Sequence, residues 1–163
     1  MLQVLQHQKT GVISVVEVPV PQCLDNGILV RNCFSAISPG TEKTSYESTR
    51  SSLLERARSE PKQVRAVINN LKREGISSTL NKVFSKLDSY KTFGYSSSGV
   101  VIESKSEFFS VGDRVACGGA GFATHSEIIS VPQNLAVKIP NSVSFEESAF
   151  TTIGTIALQG IRQ

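Results

Sequence analysis

The chain has 163 residues, of which 39% are hydrophobic and 19% are charged, and its formal net charge is +3 at pH 7. This length and composition predict one globular domain that buries a core of its own. No apolar run approaches the roughly 20 residues that a membrane span needs, and the start of the chain lacks the pattern of a signal peptide. We therefore expect a cytoplasmic protein without a membrane partner.

The beginning of the chain predicts β-structure. Residues 2–6, 11–18 and 27–37 are rich in β-branched and apolar side chains, and Pro, Asp, Asn and Gly residues separate them. After Ser38-Pro39-Gly40 the pattern changes to a helical one.

Residues 45–92 predict a helical insertion. Pro61 is expected to open a helix that ends near Gly75, because proline is favoured in a first helical turn. The apolar residues of the insertion fall into three groups with helical spacing: Leu53, Leu54 and Ala57; Val64, Val67, Ile68 and Leu71; Leu80, Val83, Phe84 and Leu87. Three polar residues that precede the last group are candidate caps: Ser77, Ser78 and Thr79.

The positive charge is concentrated in this insertion. Residues 45–91 hold ten Lys and Arg against five Asp and Glu, a net +5, whereas the remainder of the chain is −2. Such a segment either binds nucleic acid or presents a solvated helical face. Because acidic residues alternate with the basic ones, we favour the solvated face and expect no nucleic-acid partner.

The second half of the chain returns to β-structure. Short apolar stretches broken by Gly and Pro predict the strands of a barrel or sandwich, at residues 99–103, 114–117, 124–131 and 135–139. Ser144 with Glu147 three residues later predicts a capping box at a short helix. A second apolar helix is predicted at about residues 152–163.

The order of motifs after Phe93 resembles the medium-chain dehydrogenase/reductase family. A strand GVVIES is followed by a VGDRV turn, a glycine-rich break, a strand ending in NLAVKIP and the helix SFEESAF. This resemblance implies a mainly β fold with helices, namely a GroES-like β-barrel substrate domain with a helical insertion. The implied division is 1–44 and 93–143 for the barrel, 45–92 for the insertion and 144–163 for helices that lead toward a Rossmann domain.

A narrower resemblance rests on the helical insertion followed by GYSSSGVV. This combination is similar to bacterial two-part oxidoreductases that join a medium-chain unit to a downstream sugar-dehydrogenase-type unit. It implies a small-molecule substrate related to sugars. The other class of function that the barrel allows is a stand-alone scaffold or interaction module.

The family resemblance also implies a cofactor, NAD or NADP, in a longer parent protein. No GxGxxG occurs, and Gly118-Gly119-Ala120-Gly121 lies between two predicted strands and opens no helix. We therefore expect no cofactor bound to this fragment, which would be inactive alone, and a missing Rossmann domain as its partner. Thr152 and Thr155 are candidate cofactor-binding residues, with helix packing as the alternative.

Zinc is not expected, although many relatives bind it. The zinc-binding His of those relatives corresponds to Tyr95 in Gly94-Tyr95-Ser96, and their first zinc-binding Cys falls at about Ser38. Zn²⁺ favours thiolate, imidazole and carboxylate ligands. The three cysteines, Cys23, Cys33 and Cys117, are widely spaced and predict free thiols.

The candidate catalytic residues are Ser38, Thr41, Glu42 and Tyr95. The three hydroxyls could polarise a substrate oxygen, and the Glu42 carboxylate could orient a hydroxyl or act as base. Each has a structural alternative: turn hydrogen bonds for Ser38 and Thr41, a helix N-terminus for Glu42, and partial burial for Tyr95.

Two further expectations concern the end of the chain and its histidine. His125 reads as a structural or surface residue. The apolar face of the last helix, with Ile153, Ile156, Ala157 and Ile161, invites homodimer formation if it is exposed.

Overall fold

The computed structural model describes residues 1–50, 58 and 61–163. The chain divides into two compact units. Unit 1 comprises Met1–Leu5, Ser14–Ser38 and Thr92–Gln163, and unit 2 comprises Gln6–Ile13 and Pro39–Lys91. Within the described ranges, no helix is long and apolar enough to cross a membrane.

The strand bounds are β1 Leu2–His7, β2 Ile13–Glu17, β3 Gly27–Ser35, β4 Tyr90–Thr92, β5 Ser96–Ser104, β6 Arg114–Gly118, β7 Ile128–Pro132 and β8 Ala136–Lys138. These strands form two sheets, of order β2-β1-β4 and β7-β3-β5-β6-β8. Every strand pair of the larger sheet is antiparallel. The predicted combination of β-structure and helices is confirmed, but the described strands form open sheets and no closed barrel.

The helices follow the predicted order. Their bounds are α1 Pro39–Arg50, α2 Pro61–Glu74, α3 Ile76–Leu87, α4 Phe145–Ser148 and α5 Thr151–Arg162, with a one-turn 3₁₀ helix at Gln133–Leu135. The predicted helical residues Leu53, Leu54 and Ala57 lie outside the described part of the chain, as do the side chains of Leu80, Phe84 and Leu87. Within unit 2, α2 and α3 pack against each other.

The core of unit 1 lies on one face of the larger sheet. Strands β3, β5, β6 and β7 supply it through alternating apolar residues, as half-buried strands do. Its buried members are Ile28, Val30, Val101, Phe109, Val115, Cys117, Ala123, Ile129 and Val131. Helices α4 and α5 contact strands of this sheet.

The VGDRV turn joins β5 to β6 through the carboxylate of Asp113. This carboxylate accepts hydrogen bonds from Lys138 Nζ at 2.8 Å and from the Ser110 backbone N–H at 2.8 Å. Both interactions favour the ionised form, so the pKa of Asp113 is lowered from its ordinary value, chiefly by Lys138 and then by Ser110. The motif that carries the family resemblance is therefore a turn that fixes the β5–β6 hairpin.

Two local predictions are wrong. Residues 124–127 were predicted to belong to a strand, but β7 begins at Ile128. The Asn32 side-chain amide donates to the backbone carbonyls of Thr124 at 3.2 Å and Ser126 at 2.8 Å, which satisfies them without a regular ladder. The predicted caps of α3, Ser77 to Thr79, instead lie inside the first turn of that helix, which starts at Ile76.

Candidate functional site

The candidate site lies where strand β3 ends next to the start of strand β5. Ser35 is paired with Ser97 in the antiparallel ladder, and the Ala36 N–H donates to the Ser96 carbonyl at 2.9 Å. Ser38 therefore follows the end of β3 at the same end of the strands where Tyr95 precedes β5. Both side chains are partly exposed. The antiparallel register thus brings two of the four predicted catalytic residues to the same end of the sheet.

The other two predicted catalytic residues belong to unit 2. Thr41 and Glu42 lie in the first turn of α1, where Thr41 is exposed and Glu42 is partly exposed. A carboxylate in this position is stabilised by the partial positive charge of the helix N-terminus. That arrangement agrees with the structural alternative for Glu42, and a catalytic role for both residues stays a prediction.

Two backbone hydrogen bonds hold the segment from Phe93 to Tyr95. The Tyr95 carbonyl accepts a hydrogen bond from the Gly119 N–H at 2.9 Å, and the Phe93 carbonyl accepts one from the His125 N–H at 2.9 Å. Gly94 between them has a φ of +93°, and a Cβ at that position would lie 2.8 Å from the backbone nitrogen of His125. Only glycine fits this turn, so the turn sets the direction in which Tyr95 leaves the sheet.

The serines after Tyr95 anchor helices to the sheet. The Ser96 hydroxyl donates to the Ala149 carbonyl at 2.6 Å, and the Ser98 hydroxyl donates to the Phe145 carbonyl. Both side chains are fully buried, so their hydroxyls satisfy carbonyls at α4 that water does not reach. The hydroxyl of Ser97, on the opposite face, is buried with no hydrogen-bond partner among the described residues.

The two predicted cofactor residues differ in position. Thr152 lies at the site, because its hydroxyl donates to the Tyr95 carbonyl at 3.5 Å and its N–H to the Ser96 hydroxyl at 3.4 Å. Thr155 lies one helical turn further along α5, is exposed, and donates its hydroxyl to the Thr151 carbonyl at 2.8 Å. Cofactor binding by either residue stays a prediction.

The sequence patterns did not predict one hydrogen-bonded side-chain pair at this end of the sheet, Ser35 and His125. The imidazole Nδ1 of His125 lies 2.8 Å from the Ser35 hydroxyl oxygen, 90 residues away in the chain. One of the two groups donates the hydrogen bond and the other accepts it, and the tautomer of the imidazole decides which of them donates. Strand alternation could not reveal His125, because residues 124–127 do not follow a regular strand. No local signal in the sequence marks Ser35.

The residues that the motif resemblance assigns to zinc-ligand positions are a poor fit for a zinc ion. Ser38 and Tyr95 supply hydroxyls, which are poor ligands beside thiolate and imidazole. Among the described residues no group of three His, Cys, Asp or Glu side chains is close enough to hold a metal. Cys117 is buried in the core, and desolvation raises its pKa to about 12, which disfavours the thiolate that would bind a metal.

The glycine-rich loop after β6 contacts the backbone of Tyr95. No helix begins at this loop. The Gly119 N–H donates to the Tyr95 carbonyl, and the Gly119 carbonyl accepts from the Ala123 N–H at 3.0 Å. A pyrophosphate cradle needs backbone N–H groups at a helix N-terminus. The described loop therefore differs from a pyrophosphate cradle in its backbone arrangement.

No protein-family model and no curated protein matches the sequence of this chain. Solved structures do match its fold. The quinone oxidoreductase from Coxiella burnetii has a TM-score of 0.62 at 22% identity, and the match covers 99% of this chain and 44% of that one. Galactitol-1-phosphate dehydrogenase from Escherichia coli has a TM-score of 0.64 at 15% identity, over 97% of this chain and 43% of that one.

A third match is the Escherichia coli quinone oxidoreductase complexed with NADPH, with a TM-score of 0.59 at 17% identity, over 91% of this chain and 36% of that one. The chain thus spans less than half the length of these proteins. All three are medium-chain dehydrogenase/reductases, and identities this low establish a likeness of fold. The chain therefore has the GroES-like fold found in medium-chain dehydrogenase/reductases, as its motifs predict.

Proposed function

We propose that this chain is the substrate-binding part of a longer, zinc-independent, NAD(P)-dependent oxidoreductase of the cytoplasm. The observation that carries the proposal is the position of Tyr95. By the resemblance of its motifs it falls where zinc-dependent relatives have a metal-binding His. The turn at Gly94 and a hydrogen bond from the Gly119 N–H hold its backbone. A phenol at this place can supply the polarisation of a substrate oxygen that zinc supplies in those relatives.

The substrate in this proposal is a small carbonyl compound or alcohol. Ser38 follows the end of β3 beside the start of β5, and in the proposal its hydroxyl serves the substrate together with that of Tyr95. Thr41 and Glu42, which belong to unit 2, stay candidate catalytic residues in the proposal. The sugar-related substrate follows from the resemblance to bacterial two-part oxidoreductases, and it agrees with a galactitol-1-phosphate dehydrogenase among the fold neighbours.

The cofactor belongs to a second domain in this proposal. The fold neighbours are more than twice as long as the matched part, and one of them was solved with NADPH. We propose that a Rossmann domain covers the α5 face that carries Ile156 and Ile161, and that Thr152 and Thr155 lie beside the cofactor.

An immunoblot of the native gene product tests whether the native protein is longer than this chain. A band at 17.6 kDa would remove the oxidoreductase proposal and favour a stand-alone scaffold.

Turnover by the intact gene product tests the chemistry. NADPH and NADH oxidation would be followed by absorbance with a panel of quinones, aldehydes and sugar-derived ketones. Tyr95→Phe should lower kcat by about 10²-fold, the typical cost of removing one transition-state donor, with little change in folding. Tyr90→Phe is the matched control, because Tyr90 lies in β4 with its ring edge-on to His7.

Two outcomes contradict the proposal at different levels. If no acceptor supports oxidation of either nucleotide by the wild type, the oxidoreductase assignment fails. If the wild type turns over and Tyr95→Phe is as active as Tyr90→Phe, the oxidoreductase assignment stands and Tyr95 loses its role.

A further inference from the structure

Strand β2 forms an outer edge of the three-stranded sheet. Its register against β1 is fixed by three backbone hydrogen bonds: Met1 and Val18 exchange two, at 2.8 and 2.9 Å, and the His7 N–H donates to the Val12 carbonyl at 3.0 Å. Both pairs belong to one uninterrupted antiparallel ladder. Alternate residues of such a ladder point their N–H and C=O groups in opposite directions. Residues 13, 15 and 17 therefore direct theirs away from β1.

The centre of this edge has little of the usual protection against pairing with another chain. Natural edge strands are protected by short length, by charged side chains, especially Lys, by Pro or by a bulge, and the one charged residue of β2, Glu17, lies at its end. Strand β2 has the sequence ISVVE, with no Lys and no Pro, and its register to β1 shows no bulge. The side chain of Val15, at its centre, is 64% exposed, and that of Ile13 is 46% exposed. Within the described residues, no strand pairs with this edge.

We propose that β2 pairs with β2 of a second copy of this chain, antiparallel and with the twofold axis at Val15. In this register Val15 exchanges both hydrogen bonds with the partner's Val15. Ile13 faces the partner's Glu17, and Glu17 faces the partner's Ile13. All outward N–H groups of the strand then meet a carbonyl, and the two carboxylates stay apart. Like charges directly opposite each other would destabilise the pair.

A second copy of this chain is the proposed partner because β2 pairs with itself in this register. An antiparallel strand about a twofold axis uses the same patch on both copies, as an isologous interface requires. A pair of five-residue strands buries far less than the roughly 1,200–2,000 Å² of a stable interface. The dimer is therefore weak and reversible, and it forms independently of any catalytic activity.

Sedimentation velocity of the 163-residue chain tests the proposal, from about 10 µM to about 1 mM, where contacts of this strength are populated. The mass should rise from 17.6 kDa toward that of a dimer. Val15→Lys brings two ammonium groups together at the axis, and Val15→Pro removes an outward N–H without touching the bonds to β1. Each should raise the dimer dissociation constant at least about tenfold. Circular dichroism checks that the variants fold.

Ile156→Lys provides the matched control. Ile156 is 66% exposed on α5, so the substitution adds the same charge on another apolar surface, and dimerisation should be unchanged. A chain that stays monomeric over the whole range overturns the proposal. So does a dimer that resists Val15→Lys, and so does one that Ile156→Lys weakens equally, since the helix face would then be the interface. Should Val15→Pro fail to fold, Val15→Lys decides.

Discussion

The imidazole of His125 hydrogen-bonds the hydroxyl of Ser35 at 2.8 Å and so joins the end of β3 to the segment before β7. The backbone N–H of the same histidine donates to the Phe93 carbonyl, immediately before the turn that carries Tyr95. One residue thus links the end of one strand to the approach to another. Ser38 and Tyr95 lie within three residues of Ser35 and Phe93, the two residues that His125 contacts.

The Ser35–His125 pair should contribute measurably to stability. We expect His125→Ala and Ser35→Ala each to lower the free energy of unfolding. In a double-mutant cycle we expect a coupling of about 0.5–1.5 kcal/mol, the usual net worth of a hydrogen bond. Urea unfolding followed by circular dichroism measures all four proteins. Strictly additive effects would show that the pair has no energetic coupling.

Crowding at Gly94 should make its replacement costly. Gly94→Ala forces a φ of +93° on an L-residue and puts a Cβ 2.8 Å from a backbone nitrogen of His125. Left-handed strain of about 1–2 kcal/mol and overpacking of about 1–3 kcal/mol then add. Gly112→Ala is the control, since Gly112 has the same φ of +93° but open space around its Cβ. Urea unfolding should show the larger loss for Gly94→Ala, and equal losses would contradict the crowding.

The three cysteines should differ in reactivity. Cys33 is exposed, whereas Cys23 and Cys117 are buried, and burial raises the pKa of Cys117 to about 12. Because thiolates react and buried thiols do not, Ellman's reagent should modify one thiol quickly in the native protein and all three in denaturant. Cys33→Ser should abolish the fast phase. A fast phase that survives this substitution would place another thiol at the surface.

The capping box of α4 should make stability depend on pH. The Ser144 N–H donates to the Glu147 carboxylate at 2.9 Å and the Ser144 hydroxyl at 2.8 Å, and these bonds, the backbone one first, lower the pKa of Glu147. A carboxyl with a lowered folded pKa contributes its stability in full above its ordinary value of 4.5 and loses it as the pH falls below that value toward the folded pKa.

Glu147→Gln tests this dependence. Its unfolding free energy should lie below that of the wild type at pH 7, and the gap should narrow as the pH falls from about 5 to about 3, the range in which a carboxylate with a lowered pKa takes up its proton. Urea unfolding at several pH values measures the gap. A gap that stays constant over this range would mean that the Glu147 charge does not contribute to the cap.

The amino-acid sequence by itself determined the local elements and their order. Short-range patterns predict the capping box at Ser144 and Glu147, the helix beginning at Pro61 and most strands of the larger sheet. Capping bonds, fixed proline φ angles and alternating apolar side chains act between neighbours in the chain. The motif order also predicted the fold that the structural neighbours share.

Only the tertiary structure decided how the candidate site is built. Ser35 meets His125 across 90 residues, and the Ser96 hydroxyl meets the Ala149 carbonyl across 53. The antiparallel register of β3 against β5 places Ser38 and Tyr95 at the same end of the sheet. These contacts depend on how strands and helices pack, and many different sequences carry serines and histidines in similar local surroundings. A hydroxyl near a strand end therefore shows its partner only after the chain has packed.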